Sequence, residues 1–210
     1  MDGVIADTQK VHGALDRLLL KECGVDIPGH EISARFAGIP SEEVYRIVLE
    51  ENGKTGNPME MVQRKKQMFR DEIMKGVESV EGAVELVRDL HKRKIPIAVA
   101  SSTDRDGIDH VLKTLGILHL FNAVVSGSEV PRGKPAPDIF LRAAELIGVP
   151  PEHCIVVEDG IGGVLGAQKA GMKVIGFGRA VETIADLSVH SMDEVKQVIG
   201  HFLEKGVLKG

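Results

Sequence analysis

The sequence predicts an α/β protein, with a Rossmann-like parallel sheet as its core and an α-helical domain inserted near its amino-terminal end. From about residue 95 onward, short apolar runs alternate with segments of helical periodicity, a pattern typical of βαβ units. Residues 9–78 show helical spacing and no convincing strand. Polar clusters at 101–104 and 158–160 follow apolar runs directly, and parallel sheets bind ligands at the carboxyl ends of their strands.

The predicted core elements follow from the spacing of apolar residues. The run IPIAVA over residues 95–100 is short and ends in polar residues, as expected for a buried strand. After it, Ile108, Val111, Leu112 and Leu115 are spaced as one face of a helix. The same alternation predicts strands at 95–100, 123–126, 155–157 and 173–177, and helices at 108–115, 139–147, 163–170 and 195–202.

Residues 9–78 are predicted to form a helical insert. Apolar residues recur at helical spacing through this segment, and Pro or Gly residues interrupt it at 28–29, 38–40 and 53–58. We therefore expect a core domain made of residues 1–8 and 79–210, and an inserted helical domain made of residues 9–78, which the resemblance described below implies is a cap domain.

The composition argues against several classes of protein. The 210-residue chain has a net charge of −5, whereas binding to nucleic acid calls for a basic surface. No apolar run reaches about 18 residues, the length that a membrane span needs, and no basic-then-apolar signal segment opens the chain. Cys23 and Cys154 form no disulfide framework and are interpreted as reduced thiols. We expect a cytoplasmic monomer that binds neither nucleic acid nor a membrane.

Three polar clusters could carry chemistry. Acidic side chains at strand ends could hold Mg²⁺, a hard cation that prefers oxygen ligands and shares its shell with a substrate phosphate. A serine hydroxyl and nearby backbone N–H groups could bind phosphate oxygens, and a lysine could supply a fixed positive charge. The clusters are Asp2-Gly3 with Asp7-Thr8, Ser101 with Ser102, and Lys134 with Glu158-Asp159.

Each cluster also has an ordinary structural interpretation. A serine after a strand is commonly a turn residue or a helix N-cap. Glu158 and Asp159 could form a solvated turn, Lys134 could be a surface lysine, and Asp7 could cap the first helix of the insert. No single residue is decisive, whereas the order and spacing of all of them together favour a function.

In combination, four stretches resemble the haloacid dehalogenase-like (HAD) superfamily, specifically its phosphatase and β-phosphoglucomutase-like branch with a helical cap. The stretches are MDGVIADT, VASSTD, GKPAPDIF and VVEDGIGGVLGAQKAGM. The resemblance implies an Mg²⁺-dependent phosphomonoester hydrolase that acts on a small phosphorylated metabolite, such as a sugar phosphate, through an aspartyl-phosphate. It also implies that the cap closes over the site before attack.

The resemblance further implies a role for each matching residue. Asp2 corresponds to the second aspartate of the family motif Asp-x-Asp-Gly, which is the general acid and base and whose backbone carbonyl binds Mg²⁺. The residues implied to bind phosphate are Gly3, Ser101, Ser102 and Lys134, and those implied to hold the metal are Asp2, Glu158 and Asp159. Lys134 is also implied to neutralise charge on the nucleophile.

The family's nucleophilic aspartate would fall one residue before Met1. Asp2 does not fit that role, because the second acid would then be Val4, and Asp7 is at the wrong offset. We therefore expect that the chain as given lacks its nucleophile and its first core strand. Losing a central strand would cost on the order of 10 kcal/mol, so a start assigned to an internal methionine or a clipped chain is the favoured explanation.

The cap sequence favours a phosphatase over a phosphomutase. In the phosphoglucomutase branch, a lysine before a cap glycine and an arginine three residues after it hold a second phosphate, whereas RFAGIPSEE has Ala37, Gly38 and Ser41 there. His12 and Lys65 correspond to a cap-hinge histidine and a cap lysine, although Lys65 in QRKKQ could equally be part of a solvated helix face. The alternatives are a β-phosphoglucomutase-like phosphomutase, or an inactive phosphate- or metal-binding protein if the chain begins at Met1.

Overall fold

The computed structural model describes residues 1–36 and 39–204. These residues form two compact units. One contains Met1–Asp7 together with the described residues from Val77 onward, and the other contains the described residues of Thr8–Gly76. Because the first unit is made of two separate stretches of chain, the second is an insertion in it.

The inserted unit is helical throughout its described residues. Its helices are α1 (Gln9–Glu22), α2 (Gly29–Arg35), α3 (Ser41–Glu51) and α4 (Pro58–Met74). Helix α1 packs on α2 and α4, and α3 packs on α4. Gly13 and Gly29 allow the first of these contacts, because a Cβ on Gly13 would lie only 2.9 Å from the carbonyl oxygen of Gly29. The apolar core includes Leu19, Leu20, Tyr45 and Val48.

A buried charged cluster lies inside the helical unit. Lys65 Nζ is 2.7 Å from Asp16 Oδ1 and donates a 3.1 Å hydrogen bond to Ser41 Oγ. The hydroxyl of the fully buried Tyr45 donates to the same Asp16 carboxylate at 2.5 Å. Burial first, and the nearby Asp16 charge second, raise the pKa of Tyr45 well above its usual value. The side chains of Lys65 and Asp16 are only 11% and 12% exposed, so each charge depends on the other for compensation.

The core unit contains parallel strands, as predicted. Strand β1 (Ala98–Ser101) pairs with β2 (Ala123–Ser126), and Ser101 lies opposite Ser126. Strand β3 (Ile155–Glu158) pairs with β4 (Lys173–Phe177), which pairs with β5 (Leu187–Val189). Across the described part of the chain the strands thus form two separate sheets, one of two strands and one of three.

Helices cover these strands. The helices of the core unit are α5 (Ala83–Lys92), α6 (Arg105–Thr114), α7 (Asp138–Ile147), α8 (Ile161–Lys169) and α9 (Met192–Glu204). Helix α7 packs on β1 and β2, α8 on β3 and β4, and α9 on β5. The buried faces of the core helices carry the apolar stripes expected from the sequence, such as Ile108, Val111 and Leu112 on α6. The α/β class with parallel strands and a helical insertion is confirmed.

The elements differ from the sequence prediction in three places. The first strand begins at Ala98 rather than at residue 95, because Pro96 has no N–H and the N–H of Ile97 is bound by the side chain of Asn122. Helix α5 and the three-residue strand β5 were not predicted.

No helix in the part of the chain that the structure describes has the length and apolar character needed to cross a membrane. Cys23 and Cys154 are both free thiols.

The buried cluster of the helical unit leads to a test of stability. Replacing Asp16→Ala leaves the Lys65 ammonium buried without its partner, and we expect the free energy of unfolding to fall by about 3–5 kcal/mol. Urea denaturation followed by circular dichroism measures this. The double variant Asp16→Ala/Lys65→Met is the control and should regain at least half of the loss. A loss below about 1 kcal/mol in the single variant, the range of an exposed ion pair, would contradict the burial.

Candidate active site

The opening residues fold into a tight turn. The carbonyl oxygen of Met1 accepts the N–H groups of Ile5 at 2.7 Å and of Val4 and Ala6 at 3.2 Å each. Gly3 is buried with φ +67° and donates its N–H to the Ala6 carbonyl at 2.9 Å. Glycine suits this position because a side chain is strained at such an angle. The turn fixes the direction of the Asp2 side chain.

Two hydroxyl groups hold the Asp2 carboxylate. Ser101 Oγ donates to Asp2 Oδ2 at 3.0 Å, and Thr103 Oγ1 donates to the same oxygen at 2.8 Å. Ser101 is 2% exposed, and its Oγ also accepts the N–H of Thr103. Asp104 then caps α6 by accepting the N–H of Gly107 at 2.9 Å. The end of β1 is thus shaped as a hydroxyl-rich loop that binds a carboxylate.

Lys134 connects the ends of β1 and β3. Its Nζ donates to Glu158 Oε2 at 2.8 Å and to the carbonyl oxygen of Ala100 at 3.2 Å. The ammonium also lies 5.0 Å from the centre of the Phe140 ring, a favourable cation–π distance. The side chains of Lys134 and Glu158 are each 13% exposed. Lys134 is therefore a largely buried, paired cation, and the surface-lysine interpretation is wrong.

Helix α8 begins against the Glu158 side chain. Glu158 Oε1 accepts the N–H of Gly160 at 3.4 Å. A Cβ on Gly163 would overlap the carboxyl group of Glu158, so the helix can approach this closely only because residue 163 is glycine. Asp159 is partly buried in the same loop. The turn after β3 is therefore packed against helix α8, and the solvated-turn interpretation is wrong.

The structure brings some of the predicted residues together. Asp2 contacts Ser101, and Lys134 pairs with Glu158 beside Asp159. Ser102 follows Ser101 and is exposed. The contact between Asp2 and Thr103 was not predicted, because a threonine two residues after a serine is common in loops. The carbonyl oxygen of Ala100, which Lys134 binds, has no side-chain signal in the sequence.

The predicted cap residues lie in the helical unit. The His12 ring stacks on Phe69 with the ring centres 4.2 Å apart. Lys65 belongs to the buried cluster with Asp16, so its interpretation as part of a solvated helix face is wrong. Ser41 accepts a hydrogen bond from Lys65. The predictions made for Ala37 and Gly38 lie outside the described residues.

The donor groups at this site fit a magnesium ion bound with few protein ligands. Residues 1–36 and 39–204 contain no ready-made group of three His, Cys, Asp or Glu side chains that could hold a metal. Asp2, Glu158 and Asp159 carry oxygen donors near the ends of β1 and β3. Ser101 and Thr103 bind the Asp2 carboxylate, and Lys134 binds that of Glu158. Mg²⁺ commonly uses one or two carboxylates and completes its shell with water and substrate phosphate. The described residues of this site therefore do not form a metal site made of protein ligands alone.

The arrangement combines groups that suit transfer of an anionic group. A carboxylate held by two hydroxyls can exchange a proton with a substrate oxygen. A buried ammonium can stabilise negative charge that develops beside it. Lys134 binds the Ala100 carbonyl of β1 and the Glu158 carboxylate of β3, so the carboxyl ends of these two strands lie close together. The Asp2 carboxylate and the Lys134 ammonium lie at this place.

The close approach of α8 to Glu158 can be tested with two neighbouring glycines. Gly163→Ala places a methyl group into the Glu158 carboxyl, and we expect it to lower the free energy of unfolding by about 1–3 kcal/mol. Gly162→Ala, in the same helical turn, meets only Lys134 atoms, at 3.8 Å or more, and should be neutral or stabilising, by up to about 1 kcal/mol. Thermal or urea denaturation compares them. Equal stability of the two variants would contradict the packing described for Glu158.

Comparisons with known proteins agree on one family. A family model described as haloacid dehalogenase-like hydrolase matches residues 1–177. The chain is 36% identical over 183 residues to a probable pseudouridine-5′-phosphatase from Drosophila melanogaster, with 83% of this chain and 78% of that protein covered. It is 33% identical over 177 residues to a fructose-1-phosphate phosphatase from Escherichia coli, with 83% and 92% covered. A solved β-phosphoglucomutase from Clostridium difficile matches with a TM-score of 0.74 and 27% identity, with 98% and 96% covered.

The family model spans well over half of the 210-residue chain, and the two relatives exceed 30% identity across most of their own length. The expected resemblance and the expectation of an enzyme are both confirmed. This chain belongs to the haloacid dehalogenase-like hydrolase family.

Proposed function

We propose that the protein is an Mg²⁺-dependent phosphomonoester hydrolase that acts on a small phosphorylated metabolite through an aspartyl-phosphate. The observation that carries this proposal is the meeting of three groups at the carboxyl ends of β1 and β3. These are the Asp2 carboxylate, the Ser101 hydroxyl that binds it, and the part-buried ammonium of Lys134. A phosphoryl group placed there would meet an acid–base group, a hydroxyl donor and a positive charge.

Binding of the phosphate is assigned to the strand ends. The Ser101 hydroxyl and the backbone N–H of Ser102 are the proposed donors for phosphate oxygens, whereas the Gly3 N–H is bound by the Ala6 carbonyl and serves the turn instead. Lys134 adds a positive charge that is already in place before the reaction begins. Substrate binding would draw Ser101 from the Asp2 carboxylate, while Thr103 still donates to Asp2. Thr103 is therefore proposed as a positioning residue for Asp2.

The chemical steps use two carboxyl groups. We propose that an aspartate directly before Met1 attacks phosphorus, while Asp2 gives a proton to the departing ester oxygen as the P–O bond breaks. Asp2, now ionised, then takes a proton from water, and the oxygen of that water attacks phosphorus. The acyl-phosphate bond breaks, which releases inorganic phosphate and restores the aspartate.

Magnesium would be held by the carbonyl oxygen of Asp2 and by the acids at 158–159. When bound, it would neutralise charge on the phosphoryl oxygens. In this chain Glu158 also holds Lys134 at 2.8 Å, so its first effect on the reaction is to fix the position of that ammonium.

Two observations bear on the substrate. The relatives named above act on pseudouridine 5′-phosphate and fructose 1-phosphate by their names, which supports a small phosphorylated metabolite. In the helical unit, Ser41 is uncharged and the charge of Lys65 is balanced by Asp16. Neither residue offers a free positive charge to a second phosphate, which favours a phosphatase over a phosphomutase. Cytoplasmic location and a monomeric state stay predictions.

The proposal is tested with a chain extended upstream of Met1 by an apolar, strand-forming segment that ends in Asp. This chain should hydrolyse p-nitrophenyl phosphate with Mg²⁺ and lose activity when the metal is chelated. Asp2→Asn should lower kcat by about 10²–10⁴-fold, the usual contribution of general acid–base catalysis. Asp7→Asn, a matched change outside the proposed machinery, should leave kcat within about threefold.

Two results would contradict the proposal. The first is equal activity of the 210-residue chain with and without the extension, and the second is an Asp2→Asn variant as active as the parent. Interconversion of sugar phosphates that outpaces release of phosphate would instead favour the phosphomutase.

A further inference from the structure

A buried serine at the end of β2 lies beside the loop that carries Ser101. Ser126 is 0% exposed and lies opposite Ser101 where β2 pairs with β1. Its hydroxyl donates a 2.8 Å hydrogen bond to the carbonyl oxygen of Thr103. A polar side chain is costly to bury unless it is hydrogen-bonded, and none of the proposed chemical steps uses Ser126.

The bonds of the Ser126 side chain fix the direction of its hydroxyl. A hydroxyl group has one proton to donate and two lone pairs that accept. The Thr103 carbonyl can only accept, so it takes the Ser126 proton. The Ser126 oxygen then accepts the N–H of Ser128 at 3.2 Å and the Ser128 hydroxyl at 2.9 Å. All three positions are used, and the hydroxyl cannot turn away from Thr103 without losing a bond.

The backbone at the end of β2 is also held. The N–H of Ser126 donates to Glu129 Oε2 at 3.0 Å, as part of a capping box. Glu129 Oε1 accepts from Arg105 Nη1 of α6 at 3.2 Å, and the same nitrogen donates to the Val124 carbonyl at 3.1 Å. The end of β2 is thereby tied to the first residue of α6, two positions after Thr103 in the chain.

Thr103 is fixed on both sides of its own side chain. Its N–H donates to Ser101 Oγ at 3.2 Å, and its carbonyl oxygen accepts from Ser126. The next residue, Asp104, caps α6. Because both of its backbone groups are bound, Thr103 keeps its hydroxyl directed at Asp2 Oδ2, 2.8 Å away.

The two loops also touch through their backbones. A Cβ on Gly127, the residue after Ser126, would lie 3.2 Å from Ser102 Cα, which is tighter than ordinary van der Waals contact. The loop after β2 therefore packs directly on the loop after β1, and a shift in one displaces the other.

We propose that Ser126 is a positioning residue for Asp2 and acts through the carbonyl and hydroxyl groups of Thr103. The inference rests on the proposed function, because it takes Asp2 as the group that transfers protons. A displacement of about 1 Å in a catalytic group can cost about 10²-fold in rate. Loss of the Ser126 hydroxyl should therefore lower kcat and leave KM nearly unchanged, since the orientation of Asp2 matters in the transition state more than in substrate binding.

The kinetic test uses the upstream-extended chain with p-nitrophenyl phosphate and Mg²⁺. Ser126→Ala should lower kcat by about 10–100-fold and change KM by less than about threefold. Ser128→Ala is the matched control, because it removes a hydroxyl from the same loop and leaves the bond from Ser126 to Thr103. Its kcat should stay within about threefold of the parent.

A double-variant comparison tests whether Ser126 acts through Thr103. Thr103→Val removes the hydroxyl that binds Asp2 and should lower kcat by itself. In that background, Ser126→Ala should lower kcat further by less than about threefold, because the link to Asp2 is already broken. Independent effects would multiply instead.

A second measurement needs no activity and uses the 210-residue chain. Without the Ser126 hydroxyl, the Thr103 carbonyl loses its donor and the loop should open more often. Hydrogen exchange of the Thr103 N–H, followed by NMR, should be about tenfold or more faster in Ser126→Ala than in Ser128→Ala. If the alanine variant does not fold, Ser126→Cys, whose thiol is a weak donor, replaces it in both measurements.

The outcomes separate the inference from the proposed function. Equal exchange at Thr103 in the Ser126 and Ser128 variants would overturn the inference. So would a Ser126 variant that keeps its kcat, one that changes KM instead, or one whose loss multiplies fully with that of Thr103→Val. An inactive extended parent would contradict the proposed function, and the exchange of Thr103 would then decide whether Ser126 holds the loop.

Discussion

The rest of the core unit depends on the contacts of the Lys134 ammonium, which is largely buried. It is bound by the Ala100 carbonyl at the end of β1 and by the Glu158 carboxylate at the end of β3, which belong to different sheets. A charge that is 13% exposed is stable only if it is paired, so the loop that carries Lys134 and the two strand ends must keep their relative positions. The same constraint places a fixed positive charge at the point where an anion would bind.

Two further contacts make this arrangement specific. Helix α8 approaches Glu158 as closely as it does because residue 163 has no side chain, and this approach keeps the carboxylate directed at Lys134. On the other side, Ser101 and Thr103 both donate to one oxygen of the Asp2 carboxylate and so fix its position. Three segments that are distant in sequence thereby present an acid, a hydroxyl and a cation to one region. None of them could hold its position alone, because each depends on a partner from another segment.

Site residues could be predicted from the sequence where they come directly after a recognisable strand. Ser101 and Glu158 were found because each ends a short apolar run, and the rule that ligands lie at the carboxyl ends of parallel strands then brought them together. Lys134 was found only through the spacing of several motifs, since a lysine between Gly and Pro is ordinary by itself. The buried stripe of α5, formed by Ala83, Leu86, Val87 and Leu90, has regular helical spacing and was open to prediction from the sequence.

Other features of the structure could not be predicted from local sequence patterns. The burial of Lys65 could not be predicted from QRKKQ, because its partner Asp16 lies 49 residues away in sequence. Strand β5 has three residues, two of them exposed, so it has no apolar signal of its own and forms only because β4 offers it an edge. The division of the described strands into two sheets is likewise a property of how strands pair and not of any one strand. The features that could not be predicted from the sequence therefore depend mostly on contacts between segments that are distant in the chain.

The central claim is that phosphoryl transfer passes through a carboxylate directly before Met1, with Asp2 as its acid–base partner. The most direct measurement is to quench the upstream-extended chain with acid during turnover of p-nitrophenyl phosphate, and to reduce it with borohydride, which converts an aspartyl-phosphate to homoserine. Peptide mass spectrometry then locates the change. We predict homoserine at the residue before Met1 and unmodified Asp2. Homoserine at Asp2, or an active enzyme with no converted aspartate, would contradict the account.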